Sequence, residues 1–298
     1  MIRHARKKKK PMSYLESSTD HSEVEEYVFH PSTSSFNFVE EEALKLHIQP
    51  QLHFQSILGD DYIPVVETEL PSSLTDLYLP DFDHDKISIF HPKKHPELSE
   101  NASSFLSKLM FVLRNNFREN DSPTEEGYID DLAFVLMQAV KFDDGKNFLM
   151  RTCHLKLNVG EYAYAAEANR EGLLHLQITW VLQENKHISS NKYSAGDIQL
   201  IACMIAACQK NRRLLEKISP RKMIGMKIKG EEIFFYSFVM PEAYLDELQR
   251  GIPKTPLNIL KYPSKKGLRI SHPEERKRIL HYLWSLRAYS LAFPDDMD

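Results

Sequence analysis

The chain has 298 residues, 42% apolar and 27% charged, which suffices for one large domain or two smaller ones. No run approaches the roughly 20 apolar residues of a membrane span, and no apolar stretch follows the N-terminus as a signal peptide requires, so a soluble, intracellular chain is expected. The net charge of −4 conceals an asymmetry: residues 151–298 carry 23 Lys+Arg against 16 Asp+Glu, and residues 1–150 carry 15 against 26, so the second half favours a polyanionic partner.

Arg3, Arg6 and Lys7 to Lys10 form a basic run with the composition of a nuclear-localisation signal or a nucleic-acid arm, and equally of a solvated end. The sequence to residue 35 is rich in Ser, Glu, Asp and His and is expected to be disordered. Residues 36–98 carry many prolines and no clean period, which predicts an irregular extension with short elements such as Tyr62-Ile63-Pro64-Val65-Val66. The ordered domain is expected over 99–290, with an acidic tail at 291–298.

Within the domain, Phe105, Leu106, Leu109, Leu113 and Phe117 recur at helical spacing, and Ile129, Leu132, Ala133, Leu136 and Val140 make a second stripe. Phe142-Asp143-Asp144-Gly145 stops that second helix. Glu126 and Asp130 lie one turn apart at its start, where the helix dipole also favours acids. Three strand-like runs follow: Cys153 to Val159, Tyr162 to Ala168 (closed by Asn169-Arg170-Glu171-Gly172), and Leu176 to Lys186. Their short connections predict an antiparallel meander. Glu167 is an acid among small and aromatic residues, and if buried it needs a partner charge or a metal.

The next helix carries Ile198, Ile201, Met204, Ile205 and Cys208 on its apolar face, with Asp197 near its N-cap and Gln199 in its first turn. Lys210, Arg212 and Arg213 close it, favourable at a helix C-terminus and available to phosphate. Three cysteines (Cys153, Cys203, Cys208) make neither a disulfide framework nor a zinc spacing, and the last two are expected to be packed small residues. Strands are predicted at Met223 to Ile228 and Ile233 to Val239, with a short helix from Pro241 to Gly251. A basic stretch runs from Lys254 to Arg269, and a last helix opens at Ser271-His272-Pro273-Glu274 with capping-box spacing.

The chemistry concentrates at the end of the third strand, Leu182-Gln183-Glu184-Asn185-Lys186. Alternate residues of a strand share a face, so Glu184 and Lys186 project together. A carboxylate there can hold a divalent metal, and a lysine beside it can orient a water or neutralise a phosphate. Taken alone, Glu-x-Lys also describes two solvated residues at a strand exit.

The order of helix with acids, strand, strand with Glu167, strand with Glu184-x-Lys186, helix with Gln199, strand resembles the αβββαβ core of the PD-(D/E)XK (restriction-endonuclease-like) nuclease superfamily. That fold is α+β or α/β, a mixed central sheet flanked by helices. More closely, the chain resembles a family of uncharacterised fungal proteins with that core. The resemblance runs over roughly residues 99–290, through Tyr128-Ile129-Asp130-Asp131-Leu132-Ala133, Phe142-Asp143-Asp144-Gly145, Leu182-Gln183-Glu184-Asn185-Lys186 and Ile198-Gln199-Leu200-Ile201-Ala202. It implies that Glu167 and Glu184 ligate Mg²⁺ or Mn²⁺, with Asp130 or Glu126 as the helix acid. Lys186 is then placed beside the attacking water, and Gln199 positions the site. The implied reaction is hydrolysis of a phosphodiester in DNA or RNA, with Lys210, Arg212 and Arg213 on the nucleic-acid backbone. The usual second-strand acid is Asp; Glu167 is one methylene longer.

Two other expectations compete. One is a catalytically inactive descendant of the fold that binds nucleic acid or protein. The other is an adaptor docking through residues 1–98. His187 can touch phosphate from the loop after Lys186, or simply be solvated there. The sequence has no Gly-rich phosphate loop, no Gly-x-Ser-x-Gly elbow and no zinc cluster.

Overall fold

The computed structural model describes residues 29–116, 127–174, 177–185, 195–214 and 222–292, with backbone only for Asn116, Cys153, Gln183, Glu184, Asn185 and Ala195. Four short helices, α1 (Phe38–Ala43), α2 (Gln55–Leu58), α3 (Ser72–Thr75) and α4 (His84–Ser88), and strand β1 (Leu46–Pro50) precede α5 (Glu100–Asn116) and α6 (Gly127–Ala139). The meander β2 (Phe148–Val159), β3 (Tyr162–Leu174) and β4 (Gln177–Asn185) leads to α7 (Ala195–Leu214). Then come β5 (Lys222–Lys229), β6 (Glu232–Val239), α8 (Glu242–Arg250), β7 (Leu257–Tyr262), β8 (Leu268–Arg269) and α9 (Pro273–Leu291).

These strands form one mixed sheet in the order β1-β7-β6-β5-β4-β3-β2, with β8 alongside β6. The chain is therefore of mixed α and β class. β2, β3 and β4 are antiparallel neighbours, whereas β5 lies parallel to β4. A parallel neighbour needs a crossover, and α7 supplies it. Strand alternation sends side chains to two separate cores. Leu155, Leu157, Ala166, Ala168 and Val181 pack with α7 and α8 on one face. Trp180, Leu182, Ile224, Met226 and Ile228 pack with α5, α6 and α9 on the other. Gly225 lets α7 sit directly on β5, since a Cβ there would run into Met204 and Leu200.

Four expectations are corrected. Residues 29–35 do not belong to a disordered tail, since Phe29 and Thr33 are buried; residues 36–98 do consist of short elements, packed on the domain with Phe36, Leu44 and Phe54 fully buried. Arg276, buried on α9, binds this segment by donating to the carbonyls of Tyr78 (3.0 Å), Leu79 (2.6 Å) and Phe82 (2.7 Å). Second, the domain expected over 99–290 takes in an earlier strand, since β1 joins the sheet by pairing parallel with β7 from the basic stretch after Lys254. Third, the capping box at Ser271 does not form. His272 is the N-cap of α9, with no side-chain cap bond, and the Ser271 hydroxyl bonds Glu231 instead.

The fourth correction bears on function. Asn169-Arg170-Glu171-Gly172 is not a turn, and β3 runs through it. Arg151 pairs with Glu171 but Cys153 with Ala168, so β3 holds one extra residue there. Such a bulge resets which side chains face which layer. Ala166 and Ala168 face α7. Strict alternation would send Arg170 the same way, yet Arg170 reaches Asp130 on α6, while Glu171 reaches Lys210 on α7.

Candidate functional site

β3 and β4 part at the bulge. Their pairing reaches Arg170↔Leu182. Beyond that point β4 stays on β5 through Asn185↔Lys229, and β3 stays on β2 through Val159↔Tyr162. The two strands thus form a fork, with Glu167 on one arm and the Glu184 backbone on the other. Past the fork, Pro31 and Ser32 lie beside β3: the Ala165 N–H donates to the Pro31 carbonyl (3.1 Å).

The Glu167 side chain is exposed, in register with His154. Its flanking residues Ala166 and Ala168 are buried against α7, so Glu167 stands on the opposite face. Gln199 donates from Nε2 to the Glu167 carbonyl (3.4 Å), so these two residues are brought together. Asp130 joins the same region through Arg170, which donates from Nε (3.0 Å) and Nη2 (2.8 Å) to Asp130 Oδ1. The side chain of Glu184 and all of Lys186, Glu126 and His187 lie outside the described residues, as does the basic run from Arg3 to Lys10.

Lys210, Arg212 and Arg213 are not at the fork. Lys210 is 11 residues beyond Gln199, about 16 Å along the helix. Lys210 pairs with Glu171 (3.2 Å), Arg212 with Asp246, and Arg213 donates to the Gln209 carbonyl (3.3 Å).

The buried acid of β3 is Glu171, only 1% exposed. Its Oε1 accepts from Arg151 (2.6 Å) and Lys210 (3.2 Å), whereas Oε2 is buried with no hydrogen-bond partner among the described residues. A second buried network centres on Asp197 in the first turn of α7. Its Oδ1 takes Lys227 of β5 and the hydroxyl of Tyr236 of β6 (2.8 Å), and its Oδ2 takes Lys261 of β7 (2.6 Å). Burial pushes the Lys227 ammonium below its ordinary range, and the Asp197 charge opposes that push. The network pins the start of α7 to three strands, and Gln199 is two residues further on. Only tertiary partners distinguish Glu171 and Asp197 from any strand or helix-start acid, and local sequence does not carry that signal.

The thiols of Cys203 and Cys208 are pushed up to about 12 by burial, which removes them as nucleophiles. Among the described residues no three His, Cys, Asp or Glu side chains form a ready metal cluster. Glu167 offers one exposed carboxylate, and Mg²⁺ takes one or two carboxylates and keeps waters. Among the described residues no helix is long and apolar enough to cross a membrane. No protein-family model matches the chain, and no curated protein matches it.

Proposed function

We propose that the chain is a metal-dependent nuclease of PD-(D/E)XK type, hydrolysing phosphodiester bonds of DNA or RNA at the β3–β4 fork. The observation that carries this reading is the fork itself: β4 leaves β3 two residues before Glu184, and Glu167 stays exposed on the other arm. The parallel strand β5, reached through α7, supports the same core. Glu167 and Glu184 would hold Mg²⁺ or Mn²⁺, with Asp130 as the helix acid. The ion would polarise a phosphoryl oxygen and lower the pKa of a bound water. Lys186 follows Glu184 by two residues and is proposed to orient the attacking water. Gln199 fixes the Glu167 backbone, and Asp197 fixes the helix that carries Gln199.

The experiment is cleavage of single- and double-stranded DNA and RNA with Mg²⁺ or Mn²⁺, beside Glu184→Ala. Cleavage that needs metal and vanishes in the variant supports the proposal. One observation favours a second reading, a non-catalytic nucleic-acid-binding descendant: Asp130 is already held by Arg170. Retention of nucleic acid with neither metal binding nor cleavage in the wild type would establish that reading instead.

A further inference from the structure

Arg170 is a fixed cation at the fork. It is the register partner of Leu182, two residues before Glu184, and the bulge turns it toward α6. Among the described residues its Nε and Nη2 both meet one oxygen of Asp130. Its guanidinium lies 5.3 Å over the ring of Phe134, one helical turn beyond Asp130, so a cation–π contact holds it from the same helix. The Asp130 side chain is 41% exposed and that of Arg170 20%.

That exposure decides how firmly the pair holds. The Asp197 pairs are buried and cannot open without stranding charge, whereas a partly solvated pair is weak and exchangeable. We propose that Arg170 is a charge latch that competes with a divalent cation for Asp130. The proposal rests on the nuclease reading above. Without the cation, Arg170 neutralises the helix acid. With it, Asp130 changes partner, and the guanidinium, still seated on Phe134, presents donors to a phosphate oxygen, for which its planar fork is suited. The latch would lower the affinity of the free protein for metal and place an anion-binding group beside the scissile phosphate.

The test is Mn²⁺ titration by calorimetry into the full chain without nucleic acid. Arg170→Gln removes a competitor and a repelling charge, so it is expected to bind Mn²⁺ roughly tenfold more tightly. Phe134→Leu, which loosens the guanidinium and keeps the pair, is expected to shift affinity the same way by a smaller factor. In Asp130→Asn the gain from Arg170→Gln is expected to vanish. Unchanged affinity in Arg170→Gln and Phe134→Leu, with binding still lost in Glu184→Ala, overturns the latch and leaves the nuclease reading standing. No Mn²⁺ bound by any variant overturns both.

Discussion

Lys261 Nζ lies 2.6 Å from Asp197 Oδ2, joining the first turn of α7 to β7 across the sheet. Lys227 and Tyr236 meet the other oxygen of the same carboxylate. One side chain therefore holds three strands and the helix start that carries Gln199. Asp197→Ala would leave two ammonium groups, one almost fully buried, without a counter-charge. A loss of about 3–5 kcal/mol is expected, read as a lower urea midpoint with unchanged slope. A loss within about 0.5 kcal/mol would show that the network does not pin the helix.

The two acids of β3 are expected to separate stability from function. Glu171→Gln weakens a carboxylate bonded to Arg151 and Lys210, and should lower stability by about 2 kcal/mol. Glu167→Gln touches an exposed side chain and should stay within about 0.5 kcal/mol of wild type. Thermal melts of both variants, beside Mg²⁺-dependent cleavage, check the contrast. Glu167→Gln should lose cleavage while keeping its melting temperature.

Asp144 ties the start of β2 to α9. Its Oδ1 accepts from the N–H groups of Lys146 (3.0 Å), Asn147 (2.8 Å) and Phe148 (3.0 Å), and its Oδ2 from Arg287 (3.0 Å). Burial alone would raise this carboxyl, but the backbone donors and Arg287 hold it well below the usual carboxylate range. A depressed folded value stabilises the protein above the unfolded value, and the gain is lost as pH falls through the folded one. Asp144→Asn should therefore melt well below wild type at about pH 6, and the gap should close as the pH drops from about 4 toward 2. A gap independent of pH would remove the charge from the account.

Gly172 lies beneath Trp180, and a Cβ there would fall inside the indole ring. Gly172→Ala should cost about 1–3 kcal/mol through overpacking. Urea unfolding followed by tryptophan fluorescence reads both the stability and any shift of Trp180, and a wild-type midpoint would contradict the packing.

Much of the order of elements was legible in the sequence, because helices α5, α6, α7 and α9 keep an apolar stripe and the meander alternates. What was hidden depends on distant partners. Asn169-Arg170-Glu171-Gly172 has turn composition, but Asp130 draws Arg170 to one side of the sheet and Lys210 draws Glu171 to the other, so the strand bulges and continues. For the same reason the buried acid of β3, Glu171, could not be told from a turn residue in the sequence. Lys210 and Arg212 have the positions of phosphate ligands, yet Glu171 and Asp246 claim them from other segments. β1 and β7 escaped notice because strands of five and six residues carry too short a period to stand out, and they are stabilised by each other.

The central claim is that a divalent cation sits at the β3–β4 fork. Fe²⁺ can replace Mg²⁺ in such oxygen-rich sites, and with ascorbate and peroxide it cuts the polypeptide near its own position. Mapping the fragments of the full chain by mass spectrometry locates the ion without relying on turnover. The expected result is cleavage close to residues 167 and 184, suppressed by excess Mg²⁺ and absent in Glu184→Ala. Cuts confined to other segments, or cuts at the fork that survive Glu184→Ala, would contradict the account.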